Sequence, residues 1–210
     1  MRIETGKPMW HRWIAFVTVG EFLGFSLPAI VATAVWERGG WPATTALLAA
    51  GLGEGIVLGW FQARALRPAL PELPGRAWIA ATALGAAIAW SVAMVPVGTD
   101  GFRGWPTAAA IPVLCAGGAV VVSAIGVAQW SVLRRYLARA GWWIGATALS
   151  WAAGLVAFAL FTSPLWQPGQ QPAEIALIGL AGGLLMAFVM AGVSGGFLVW
   201  LLRAQAEDGR

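Results

Sequence analysis

Two acidic residues stand where acids are costly. Glu21 lies nine residues beyond Arg12, and Glu54 lies ten residues before Arg64, each inside a long apolar run. At ~1.5 Å per residue, helical runs put both carboxyls about 13–15 Å from the basic flank. The runs are consecutive and form a hairpin, so the acids share one depth near the middle of a ~30 Å hydrocarbon core. No Lys, Arg or His lies near the middle of any apolar run to neutralise them. Each is therefore protonated, hydrogen-bonded, bound to a cation or paired with another protein. Two carboxyls this close would share a proton, and Thr18, one turn from Glu21, supplies a further oxygen. The spacing points to a proton or cation site. The structural alternative is a pair of acids that hold helices together through backbone carbonyls.

Other chemistries fail on inventory. There is one histidine, His11, and one cysteine, Cys115, so His-Glu-x-x-His metal sites, bis-histidine haem and cysteine clusters are ruled out. His11, between Trp10 and Arg12, reads as an interfacial residue. Asp100 and Asp208 fall outside the apolar runs, which removes an intramembrane aspartyl pair. No P-loop is present, and no lysine lies within a span to form a Schiff base. These absences lead us to expect a non-enzymatic protein with no metal and no cofactor.

The elements that position the acids follow from composition. The chain has 210 residues, 59% hydrophobic and 10% charged, with a mean hydropathy of +0.75. Six apolar runs, at about 10–35, 43–62, 78–96, 107–133, 142–162 and 174–202, are long enough to cross a bilayer as helices. The alternation of barrel strands is missing. Residues 1–210 thus read as one all-α integral membrane domain with six transmembrane helices. Ala32-Thr33-Ala34 resembles a signal cleavage site, but the run before it is long and carries Glu21, so the first helix is expected to stay.

Of 13 basic residues, only Arg38 and Arg103 fall on the side opposite Arg2, Lys7, Arg12, Arg64, Arg67, Arg76, Arg134, Arg135, Arg139, Arg203 and Arg210. This asymmetry places both termini in the cytoplasm. It also makes a bilayer with anionic headgroups, rather than nucleic acid, the partner of the basic charge.

Internal repeats organise the rest. Gly126-Val-Ala-Gln129-Trp-Ser-Val-Leu133-Arg134 shares its spacing with Gly59…Gln62…Leu66-Arg67 and with Gly195…Leu198…Leu202-Arg203. Trp13-Ile14-Ala15, Trp78-Ile79-Ala80 and Trp143-Ile144-Gly145 recur every 65 residues, and the last two extend as W-I-(A/G)-A-T-A-L. The reading is three parallel-repeat helical hairpins, about 10–67, 76–135 and 142–203, around a pseudo-threefold axis. Pro42, Pro106 and Pro172 open the returning helices, whereas Pro28, Pro96, Pro112 and Pro164 kink or end helices. The loop 163–172, with three prolines, is rigid. By the repeat spacing the acids correspond to Ala86 and Trp151 and to Val121 and Met190, so they belong to the first hairpin alone.

Small residues at four-residue spacing are expected at the seams: Gly20/Gly24, Gly51/Gly55/Gly59, Gly141/Gly145, Gly179/Gly183 and Gly192/Gly196. Gln62 and Gln129, with Arg67, Arg134 and Arg203, are expected to bond neighbouring helices or headgroups. Most of the 14 Trp fall near helix ends, as an aromatic belt requires, with Trp90 and Trp151 in mid-span. Gln129-Trp130-x-x-Leu133-Arg134-Arg135, followed by Gly141-Trp142-Trp143, resembles a group of uncharacterised bacterial multi-spanning membrane proteins with repeated Gln-Trp and Leu-Arg marks. The resemblance covers the second unit best; Gln62 lacks the adjacent Trp, and the third unit lacks Gln. It implies a repeat fold in a bacterial cytoplasmic membrane and no activity.

Two functions fit these residues. One is an accessory or scaffold subunit that packs against a membrane-protein partner or a second copy within a respiratory, photosynthetic or transport assembly. The other is a small proton- or cation-linked transporter or channel built on Glu21 and Glu54, with an organic substrate against Trp90 and Trp151.

Overall fold

The computed structural model describes residues 6–35, 40–98 and 100–208. Arg2, Arg38 and Arg210, which entered the charge asymmetry, lie outside them. Six long helices cross the molecule: α1 (Lys7–Val35), α2 (Gly40–Leu66), α3 (Gly75–Ala93), α5 (Thr107–Leu133), α6 (Trp142–Thr162) and α7 (Pro172–Asp208). A four-residue helix, α4 (Val95–Gly98), and a single 3-10 turn link α3 to α5. All six are long and apolar enough to span a membrane. Pro28 and Pro112 lie inside α1 and α5 without ending them. α3 stops just before Pro96, and α7 runs six residues past its expected end.

Each long helix packs on its neighbours in sequence, and α7 packs on α1, so the contacts close into a ring. The two described chain ends meet, because a Cβ on Gly6 would lie 3.3 Å from an Arg203 side-chain nitrogen. We call this the basic end; the exposed Arg64, Arg67, Arg134, Arg135, Arg139 and Arg203 are all there. Arg12 closes the end of α2 by donating to the carbonyls of Arg64 (2.9 Å) and Ala65 (3.3 Å), which otherwise lack helical partners. Arg64 lies over Trp60 and Arg134 over Trp130, at 4.6 and 5.0 Å from the ring centroids.

The core is concentrated toward that end. Trp13, Trp78 and Trp143 are wholly buried there, with the Trp143 ring 5.8 Å from Trp13 and 6.2 Å from Trp78. They are not belt residues, which corrects the expectation for these three. Leu66, Leu133 and Leu202, from the three Leu-Arg marks, are buried in the same cluster.

Burying an indole in a membrane core requires an acceptor for its N–H, and each of these finds one on a neighbouring helix. Trp78 donates to Gln62 Oε1 (3.1 Å), Trp143 to Gln129 Oε1 (2.8 Å) and Trp13 to Ser194 Oγ (2.9 Å). Gln129 Nε2 also donates to Gln62 Oε1 (2.7 Å) and to Thr82 Oγ1 (2.9 Å). Both glutamines are therefore interhelical and buried, not headgroup ligands. Together these groups make a plug across the ring.

Some seam glycines are as expected and others are not. Gly55 meets α3 so closely that a Cβ would lie 2.7 Å from Ala83 Cα. Gly20 is tight against Phe61, Gly24 against Glu54, Gly51 against Trp90 and Gly59 against Ile79 and Thr82. Gly141, Gly145, Gly179, Gly192 and Gly196 have nothing within 4 Å of a Cβ, and Gly183 makes only ordinary contact with Phe25. The reason is helical phase. Gly195, about 100° round α7 from Gly196, is the residue against Trp13 and Trp10.

At the far end the packing loosens. No side chain of α5 between residues 107 and 123 is buried. The loop 163–172 is held by its glutamines: Gln170 Nε2 donates to the Leu165 carbonyl, and Gln170 Oε1 accepts from the Gln167 N–H.

Gly55→Ala should lower the midpoint of thermal unfolding in detergent, at a cost of about 1–3 kcal/mol, since α2 and α3 must separate. Gly196→Ala should leave it unchanged, and equal effects would contradict the observed seam. Gln129→Leu strands the Trp143 indole and should cost roughly 1–3 kcal/mol by the same measurement.

Candidate functional site: a carboxyl-bearing cavity

Glu21 and Glu54 are reached along the same two helix faces that build the plug. On α1, Trp13, Val17, Glu21 and Phe25 follow at four-residue spacing, which aligns them on one face. Trp13 and Val17 belong to the core, and Phe25 lines a cavity. On α2, Gln62, Leu58 and Glu54 make the matching column. The acids thus sit one step above the plug, where the filled core gives way to open space.

That space is a cavity of about 140 Å³ to which all six long helices contribute. Phe25, Trp90 and Trp151 supply rings from α1, α3 and α6; Ala86, Ala89, Ile125, Leu155 and Met186 complete most of the wall. Phe25, Trp90 and Leu155, spaced by 65 residues, occupy corresponding places in the three units. Glu54 is the one charged residue in the lining. It is buried, and its Oε2 accepts the Trp90 indole N–H at 2.9 Å.

Glu21 is completely buried, and neither of its carboxyl oxygens has a hydrogen-bond partner. It lies within electrostatic reach of Glu54. A Cβ on Gly24 would lie 3.1 Å from the Glu54 carbonyl oxygen, so the two acids differ in height by about one helical turn. The structure brings them together, as their depths in the sequence require. Among the described residues neither acid has a salt-bridge partner.

The other residues divide. Thr18 does not bond Glu21; its buried hydroxyl is unpartnered as well. Arg67, Arg134 and Arg203 are exposed at the basic end, remote from the acids. Of the positions that correspond to the acids, Ala86, Val121 and Trp151 line the cavity, whereas Met190 belongs to the core below. Sequence reasoning missed Thr82 and Ser194 as partners in the plug. The repeated Thr of W-I-(A/G)-A-T-A-L was a signal for Thr82; nothing marked Ser194.

Among the described residues no group of three or more His, Cys, Asp or Glu comes together. The site is therefore an acid pair in an apolar, aromatic surround. Two unpaired ionised carboxylates are prohibitive in such a place, and a proton or a cation must accompany them. Comparison with protein-family models, with curated proteins and with solved structures finds no match.

In a Cys115→Ser background, Ala89→Cys in the cavity wall should react with N-ethylmaleimide. Ala146→Cys, buried beneath the floor, should react roughly tenfold more slowly or worse, as access requires. Equal rates would mean that the cavity has no floor.

Proposed function

We propose that the chain is a non-enzymatic, proton- or cation-linked transport protein of the bacterial cytoplasmic membrane, with Glu21 and Glu54 as its ion site. In this reading three parallel helical hairpins surround a pseudo-threefold axis, and the basic end, with both termini, faces the cytoplasm and anionic headgroups. The observation that carries it is the placement of Glu54 in a cavity wall beside a wholly buried Glu21 whose oxygens are unpartnered. Glu54 spends one oxygen on Trp90 of α3, but Glu21, if it served only to join helices, would spend its oxygens on a neighbouring helix as well. The Trp–Gln plug is then the barrier that a transport cycle must open, while the cavity is the side already accessible.

The accessory-subunit reading draws on a different feature. The first half of α5 buries none of its side chains although Ile111, Val113 and Leu114 lie along it, a surface that a membrane-protein partner or a second copy would cover.

Reconstitution separates the two. Liposomes carrying an internal pH dye and an imposed potassium-valinomycin potential should acidify faster with the native protein than without it. Glu21→Gln/Glu54→Gln should return the rate to that of protein-free liposomes. Native flux no greater than the empty control rejects transport, and flux that survives the double substitution rejects these acids as its carriers.

A further inference from the structure

The wall of the cavity specifies more than a charge. Glu54 is its single charged residue, and Trp90 takes only one of that residue's carboxyl oxygens. The remaining lining is almost wholly apolar. Its one indole N–H known to be bonded is already committed to Glu54, so a hydroxyl-rich or anionic ligand would meet few donors. A bare divalent ion is also a poor fit, because calcium and magnesium take six or more oxygen ligands and two carboxyls cannot supply them. Phe25, Trp90 and Trp151 instead present aromatic surfaces, which attract organic cations. The size is restrictive too: a cavity of about 150 Å³ admits a benzene ring, so one of about 140 Å³ holds one end of such an ion and leaves the rest to adjoining apolar space.

The cavity also shares walls with two clefts in the helix ring. Phe25 lines a cleft with Phe22, Ile30 and Leu180, between α1 and α7. Ala93 and Val121 line another, between α3 and α5. An occupant with an apolar body therefore has apolar surface next to the site on both sides.

We propose that the cavity binds a small lipophilic organic monocation, an ammonium ion bearing an apolar group about the size of one aromatic ring, with its charge against Glu54 and its body against Phe25, Trp90 and Trp151. This deepens the reading of the acids as a cation site and rests on it.

The test is equilibrium binding of tritiated benzyltrimethylammonium, whose charge is permanent, to the purified full chain in phosphatidylcholine nanodiscs. Saturable binding at one site per chain is expected, with benzyl alcohol, the uncharged analogue, failing to compete. Glu54→Gln should weaken binding roughly tenfold or more, as loss of the only facing charge implies. Ile125→Trp, which fills the cavity and leaves the carboxyl in place, should abolish it; both variants are compared at unchanged unfolding midpoint. Absence of saturable binding, binding unaltered by Glu54→Gln, or equal competition by benzyl alcohol overturns the proposal. Acid-dependent proton flux without probe binding would reject this ligand class and keep the ion site. Probe binding with no flux would keep the ligand site and reject transport.

Discussion

Three indole N–H groups buried in an apolar ring impose a constraint that the rest of the molecule obeys. Each must find an acceptor where no water is at hand, and each finds it on the helix before it around the ring: Trp78 on α2, Trp143 on α5 and Trp13 on α7. Because these bonds run between helices, they set rotation and height together. Dispersion between Gly and Ala faces lets helices approach closely but discriminates poorly among registers; a bond at 2.8–3.1 Å does not. The third junction shows the cost of departing from the pattern. Leu198 stands where Gln62 and Gln129 stand in the other units, so Trp13 turns to Ser194. The Thr147 hydroxyl, which corresponds to Thr82, is left buried without a partner.

The cavity follows from the same distribution of side chains. Bulk is gathered at the basic end, where three Trp, three Leu and two Gln fill the ring. Two turns farther on, α3 offers Ala86 and Ala89 to the interior. α5 meanwhile buries no side chain before Ala124, and of that stretch only Val121 reaches the cavity. Large rings at one level and small side chains at the next produce a floor with space above it. The acids occupy that boundary, and Trp90 bends over it to hold Glu54.

How much of this was legible in the sequence depends on the kind of signal. Hydropathy alone marked all six helices, since length and apolarity are properties of each run by itself. The depths of Glu21 and Glu54 were readable for a similar reason: rise per residue is fixed, and the two helices form one hairpin. Azimuth was harder. Gly192 and Gly196 have the same spacing as Gly20 and Gly24, yet a rotation of about 100° separates a seam from an open face, and a Cβ would meet α1 at Gly195 but at neither of those two. The Trp-Ile marks were visible as repeats, but a Trp near a helix end serves an aromatic belt or a core equally well. Which it does at Trp13 depends on α7, 181 residues away, and on a serine that no pattern set apart.

The plug and the acid pair belong to one mechanical unit. Glu21 is two turns from Trp13 on one face of α1, and Glu54 is two turns from Gln62 on one face of α2, a separation of about 12 Å in each case. Between these levels Gly20 presses on Phe61 and Gly24 on the Glu54 backbone, with no room for one helix to slide past the other. A displacement of α1 against α2 that gives Glu21 a partner must therefore shift Trp13 relative to Ser194, or Gln62 relative to Trp78. The same close glycine packing recurs around the ring, with Gly85 against Ile125 of α5, Gly126 against α6, Gly154 and Gly182 at the junction of α6 with α7, and Gly195 against Trp13 of α1, whereas Gly179, Gly192 and Gly196 on α7 stand open.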